Sequence, residues 1–169
     1  MGHKVHPYGF RLGVTYDWQA KWYAKKNYAQ FLWGVLKLRQ AVEQRCPQGD
    51  VARMEIERPG TEVCVTLYSG RPGVLIGRGG QNVEALRSEL EEISGERVRL
   101  TIREVERLEL EACLVARNIA GRIEGRIPFR RAMKQAAFRT MQAGAKGVKI
   151  RCAGRLGGRE IARAETSHQ

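Results

Sequence analysis

The sequence lacks the marks of several large classes of protein. None of its hydrophobic runs approaches the roughly 18 residues that a membrane-spanning helix needs. Its first residues, Met-Gly-His-Lys, begin no apolar stretch of the kind found in signal peptides. We therefore expect a protein with no membrane partner, located in the cytoplasm or in an organelle matrix.

The sequence also lacks the residue patterns typical of disulfides, metal sites and catalytic sites. The cysteines are far apart and form no CxxC pair, and no histidine lies at zinc-like spacing from them. Glu55 and Glu57 are the only closely alternating carboxylates in a predicted strand, and we interpret them as the solvated face of a hairpin. We predict no disulfide framework, no metal, no cofactor, no small-molecule substrate and no enzymatic activity.

Positive charge is what the sequence has in excess. Thirty Lys and Arg against 18 Asp and Glu give a net charge of +12. Residues 1–50 carry 8 basic and 3 acidic side chains, residues 51–125 carry 11 and 13, and residues 126–169 carry 11 and 2. Two basic ends that flank a nearly neutral middle are typical of nucleic-acid binding.

The segment 1–26 mixes cations with aromatic side chains and shows no regular periodicity. This mixture suits phosphate pairing and base stacking on RNA, but Trp18 and Trp22 equally suit packing of the arm on its own domain. Both interpretations stay open. The arm's candidate RNA-binding side chains are Lys4, His6, Arg11, Lys21, Lys25 and Lys26.

Residues 27–106 show the alternation of helix and strand patterns expected of a small α+β domain. A helical stripe runs from Tyr28 to Val42 and is ended by Pro47 and Gly49. The pattern then predicts a hairpin with strands at 51–57 and 62–67, a helix ending near Ile93, and a strand at 97–103.

A glycine cluster lies between the hairpin and the second helix: Ile76, Gly77, Arg78, Gly79 and Gly80. Glycines let a backbone approach phosphates, and the following helix directs its positive end at the same place. A Walker A loop would need a Lys-Ser/Thr pair, and a dinucleotide fingerprint would need glycine at Asn82.

With these strands around it, the cluster resembles the loop of a KH domain, in which Ile-Gly-x-x-Gly is followed by an apolar residue, here Val83. The element order is similar to the type II form, a three-stranded mixed sheet packed by helices. The resemblance implies that the loop clamps about four nucleotides. It also implies an apolar groove beside the loop, whose candidate floor is Val74, Leu75 and Val83.

Residues 107–169 predict a second, small α/β domain. A helical stripe starts at Leu108, a second helix spans 129–143, a strand spans 148–152, and a returning strand is expected at 159–164. The basic residues around this predicted strand pair are Lys149, Arg151, Arg155, Arg159 and Arg163.

Motifs along nearly the whole chain resemble small-subunit ribosomal protein three, the KH protein of the subunit head. They are residues 1–7, 9–13, 22–24, 56–58, 72–80, 129–136, 154–158 and 160–163. The resemblance implies three classes of partner: small-subunit rRNA, mRNA and neighbouring head proteins. It also implies that Arg130, Arg131 and Lys134 face the entering message and help to unwind it. On a helical wheel these three fall on one face, with Phe129 and Met133 roughly opposite.

One departure from the family concerns the second domain, which continues further in the family than Gln169. We therefore expect a shortened domain with an open sheet edge and a marginal core. The alternative function is a stand-alone KH regulator of RNA, against which the basic arm and the second domain argue.

Overall fold

The computed structural model describes residues 2–46, 51–60 and 62–169. The chain divides into two compact units, Met1–Glu104 and Val105–Gln169. The predicted helix stop at Pro47 and Gly49 lies outside the described residues. Within these ranges no helix is both long and apolar enough to cross a membrane.

The first unit has four helices and four strands among the described residues. They are α1 (Pro7–Arg11), β1 (Ala20–Lys21), α2 (Tyr28–Arg45), β2 (Val51–Glu57), β3 (Glu62–Ser69), α3 (Pro72–Ile76), α4 (Gln81–Ser94) and β4 (Arg97–Glu104). A 3-10 turn, Arg78–Gly80, joins α3 to α4. The predicted strands and the two long helices are confirmed.

The sheet of this unit has the order β1-β2-β3-β4. Strands β2 and β3 are antiparallel, while β4 runs parallel to β3. The predicted three-stranded mixed sheet of residues 27–106 is therefore confirmed, and a fourth strand joins it from outside that range. The fourth is β1, which comes from the arm and pairs with β2 in parallel. It is held by backbone hydrogen bonds that the N–H groups of Ile56 and Arg58 donate to the carbonyl oxygens of Gln19 and Lys21. Because these bonds depend on a distant strand, the local sequence does not predict β1.

The core of the first unit lies between α2, α4 and one face of the sheet. Alternation along β3 buries Val63, Val65 and Leu67 completely, as its period of two requires. From α2 and α4, Leu38 and Leu90 are also fully buried. Tyr28, which the helical stripe placed in the core, is instead 60% exposed and packs on Trp22 at the surface.

The second unit contains α5 (Ala112–Glu124), α6 (Phe129–Gln142), β5 (Lys149–Gly154) and β6 (Arg163–His168). Ile119, Ala132, Met133, Ala137 and Ile150 form its core. Strands β5 and β6 make a two-stranded antiparallel sheet. The long helix 129–143 and the strand after it are confirmed.

Two predictions for this unit are wrong. The returning strand begins at Arg163 rather than 159, because Gly154 pairs with Arg163 and the residues between them form a loop. Gly157 and Gly158 turn that loop with positive φ. The first helix begins at Ala112, after a 3-10 turn at Leu108–Leu110, so Leu108 is not part of it.

Candidate nucleic-acid interface

The glycine loop of the first unit is built on left-handed backbone. Gly77 ends α3 with φ 71° and ψ −179°, and Gly79 and Gly80 follow with φ 63° and 80°. Left-handed φ favours glycine because it carries no Cβ. An added Cβ at Gly79 or Gly80 would meet no heavy atom within 4 Å, so the outer side of the loop is open to a close ligand.

The inner side of the loop is held by Asn82 in the first turn of α4. Its Nδ2 donates a hydrogen bond of 3.1 Å to the carbonyl oxygen of Val74 in α3. This bond ties the helices on the two sides of the loop together. The loop therefore presents its open glycines and the first N–H groups of α4 in one fixed arrangement.

Electrostatics at the loop favour an anion. Arg78 is exposed and, among the described residues, forms no ion pair. The first turn of α4 carries one acidic residue, Glu84, which opposes an anion. The helix dipole and Arg78 act in the other direction.

The predicted groove floor needs one correction. Leu75 is only 5% exposed and belongs to the core of the first unit, so it offers no surface to a base. Because helical neighbours of a buried residue point outward, Val74 and Ile76 are 48% and 42% exposed. Val83 is half-buried. The exposed apolar surface beside the loop thus comes from Val74 and Ile76.

The N-terminal arm is partly packed on its own domain. Trp22 packs against the core and contacts the ring of Tyr28 in a tilted and that of Phe31 in an edge-on arrangement, whereas Trp18 is 59% exposed. The packing interpretation therefore holds for one of the two tryptophans that suggested it.

Three of the arm's six candidate side chains have partners within the chain. Lys21 pairs with Asp17 at 2.6 Å, a contact that raises the lysine pKa and lowers the aspartate pKa. His6 accepts a hydrogen bond from the N–H of Tyr8, and Arg11 donates to the carbonyl of Pro7. The others are exposed and form no ion pair in the described structure: Lys4, Lys25 and Lys26.

The second unit presents a basic face on α6. Its buried side is Ala132, Met133, Ala136, Ala137 and Thr140, and its exposed side includes Arg130, Arg131 and Lys134. The structure thus brings the three predicted cations together on one solvent-facing surface. No acidic residue occurs in α6.

One of these three cations is engaged by a residue that the sequence did not single out. Arg130 donates two hydrogen bonds of 2.8 Å to the carboxylate of Glu165 on β6, and Arg163 lies 3.4 Å from the same carboxylate. The hydrogen bonds from Arg130 hold the pKa of Glu165 below its ordinary value. Phe129 lies against both guanidinium groups. No local signal predicts this pair, because 35 residues separate its members.

Arg131 and Lys134 form no ion pair within the described structure. Arg131 also stands in the first turn of α6, at the positive end of the helix dipole, where a cation destabilises the helix by roughly 0.3–1 kcal/mol. Helix stability therefore does not account for a cation here, which favours a function for it outside the fold.

The remaining basic candidates lie around the two-stranded sheet. Lys149 and Arg151 are exposed on one face of β5, and Ile150 between them is buried on the other. Arg155 donates to the carbonyl oxygen of Arg159 across the loop, and Arg163 is half-buried beside Phe129. Arg163 thus lies with Arg130 at the Glu165 carboxylate, while the other four add to the positive charge of the unit.

Comparisons with known proteins follow the same division of the chain. The family model described as KH domain matches residues 37–110, and the model described as ribosomal protein S3, C-terminal domain, matches residues 119–169.

Similarity to individual proteins extends over nearly the whole chain. Small ribosomal subunit protein uS3 of Listeria monocytogenes is 53% identical over 165 residues, which are 98% of this chain and 76% of that protein. The uS3 protein of Halalkalibacterium halodurans is 52% identical, with 98% and 75% covered. That of Dehalococcoides mccartyi is 52% identical over 100% of this chain and 61% of its own length.

Proposed function

Because the chain belongs to the family of small ribosomal subunit protein uS3, we propose that it is a structural constituent of the head of the small subunit in cytoplasmic ribosomes. There it binds small-subunit rRNA, contacts neighbouring head proteins and lines the path by which mRNA enters. The observation that carries the mRNA part is the unpaired cationic face of α6, with Arg131 and Lys134.

The glycine loop supports the rRNA part of the proposal. Gly79 and Gly80 leave room for a phosphate against the backbone. Arg78 beside them supplies a charge that pairs with no acidic side chain in the described part of the chain. The exposed side chains of Val74 and Ile76 give bases an apolar surface next to that phosphate site. Together these are the elements by which KH loops hold a short single strand.

The arm supplies a second set of rRNA contacts in this proposal. Lys4, Lys25 and Lys26 carry charge that no acidic side chain of the described structure neutralises. Each phosphate contact releases condensed counterions, so these contacts raise affinity mainly at low salt.

Sedimentation of cell extract through a sucrose gradient, at moderate and then high salt, tests the ribosomal role. A constituent of the subunit stays with the small-subunit peak through both washes. A chain that runs free at moderate salt contradicts the proposal and points to a stand-alone RNA-binding protein.

Translation through structured mRNA tests the proposed mRNA contact of α6. Ribosomes that carry alanine in place of Arg130, Arg131 and Lys134 should translate through a stable hairpin more slowly than wild type, with unchanged speed on an unstructured message. The control variant removes three other cations that are already ion-paired: Arg45, Arg53 and Arg97. It has the same net charge, so equal slowing in both variants would overturn the assignment to α6.

A further inference from the structure

Phe138 is the one large apolar side chain on the basic face of α6. It is 56% exposed, although a side chain of its size stabilises a protein chiefly when it is buried. It borders a shallow surface cleft of about 540 Å³, and the residues around that cleft are Arg130, Arg131, Lys134, Gln135 and Phe138.

Helix geometry places Phe138 in line with the unpaired cations. It follows Lys134 by four residues and Arg131 by seven, spacings that keep all three on one face. At about 1.5 Å per residue, Phe138 lies roughly 6 Å beyond Lys134 and roughly 10 Å beyond Arg131 along the axis. One extended strand can therefore reach the ring and both charges.

The surroundings of the ring favour a nucleic acid over a protein as its partner. Among the residues that the structure describes, no other apolar side chain and no acidic one lines the cleft. The core of a protein interface, by contrast, is depleted of charge and rich in apolar contacts. An exposed aromatic ring beside cations is the combination with which proteins hold single-stranded RNA: the ring stacks on a base and the cations pair with phosphates.

We propose that Phe138 is a base-stacking residue, which holds an unpaired base of single-stranded RNA against α6 while Arg131 and Lys134 hold the adjoining phosphates. The inference rests on the proposed function, because it names how the message-facing surface grips its RNA. Stacking is tolerant of sequence, since every base has a π face, and a surface that reads any message requires that tolerance.

Binding of a fluorescein-labelled, unstructured RNA oligonucleotide to the full chain tests this role. Phe138→Ala should weaken binding about 5- to 150-fold, the range expected for the loss of one stacked base. Phe138→Leu should weaken it similarly, because leucine keeps the apolar surface but not the ring, whereas Phe138→Tyr should bind like wild type. Ile161→Ala is the matched control, since Ile161 is 81% exposed in the same unit but outside the cleft.

A tryptophan at this position gives a direct signature. The second unit contains no tryptophan, so Phe138→Trp introduces its only one, and the difference from wild-type fluorescence isolates it. Stacking predicts that RNA quenches this added fluorescence and that affinity is kept. Unchanged fluorescence at saturating RNA, or a Phe138→Leu variant that binds like wild type, would overturn the inference.

The Arg131→Ala, Lys134→Ala double variant separates this inference from the function on which it rests. If the double variant loses affinity while Phe138→Ala does not, the cationic face binds RNA and the stacking role is wrong. If neither variant loses affinity and RNA leaves the fluorescence of the added tryptophan unchanged, α6 does not bind RNA and the message-facing role falls with the stacking.

Discussion

Replacement of Gly77 by alanine should destabilise the first unit far more than replacement of Gly79. At Gly77 the backbone has φ 71° and ψ −179°, a combination that is essentially restricted to glycine. A Cβ there would lie 2.6 Å from Nδ2 and 2.7 Å from Cγ of Asn82. At Gly79 the backbone is ordinary left-handed, with ψ 18°, and a Cβ would meet nothing within 4 Å.

The expected magnitudes follow from these two geometries. The backbone strain at Gly77 costs roughly 1–3 kcal/mol. The contact also displaces Asn82 and breaks its hydrogen bond to Val74, for about 1 kcal/mol more. Alanine lowers the entropy of the unfolded chain and thereby returns about 0.5 kcal/mol. We expect a loss of about 1.5–3.5 kcal/mol for Gly77→Ala and of about 0.5–1.5 kcal/mol for Gly79→Ala.

Urea unfolding followed by tryptophan fluorescence measures this difference. All three tryptophans belong to the first unit, and Trp22 packs against its core, so the signal reports that unit alone. With a urea dependence of roughly 2 kcal/mol per molar, the middle of the usual range, Gly77→Ala should lower the midpoint by about 1–2 M. Equal midpoints for the two variants would refute the argument that close packing on Asn82 requires glycine at 77.

Three further perturbations have outcomes that the structure specifies. Glu96→Ala should lower the free energy of unfolding of the first unit by about 2–3 kcal/mol, because it removes the ion-pair partner at 3.2 Å from Arg58, whose side chain is 7% exposed. The Glu165 carboxyl should titrate below its ordinary 4.5 by NMR, and Arg130→Ala should raise that pKa, since Arg130 is its main hydrogen-bond donor. Iodoacetamide should modify Cys113 first, because it is the exposed cysteine.

Each of these has a control or a contrary result. Glu62→Ala removes a 3.7 Å pair with Arg97 that is largely solvated, and should cost under about 0.5 kcal/mol; a cost equal to that of Glu96→Ala would contradict the first prediction. Because the folded pKa of Glu165 is depressed, its stabilisation is present above about pH 4.5 and is lost as the pH falls through the folded pKa. Faster alkylation of Cys152, whose pKa burial raises, would contradict the third.

Most of the secondary structure was predicted from local periodicity, and the loop from a short glycine motif. The alternation in β3 and the three-to-four spacing of α2 are consequences of backbone geometry, so they can be read without a fold. The Ile-Gly-x-x-Gly pattern likewise predicted the glycine loop between the hairpin and α4. The structure adds that Gly77 and Gly79 have positive φ, a backbone that favours glycine.

Local periodicity did not predict the elements that depend on distant partners. Strand β1 exists only because β2 offers it backbone hydrogen bonds, and β6 starts at Arg163 only because Gly154 pairs there. Leu75 was expected in the floor of the groove, but it is buried because α3 packs that side chain into the core.

By itself the sequence determined the glycine loop and the cationic face of α6, since each depends on residue types at short spacing. The mixed sheet and the family were implied by the resemblance of its motifs to known families. Only the tertiary structure decided which of those cations form an ion pair within the described chain. Glu165 is brought to Arg130 by the pairing of β6 with β5, and Phe138 is left in solvent by the direction in which α6 faces its core. Ion pairing and exposure depend on neighbours far away in the chain, and only the folded structure brings those neighbours together.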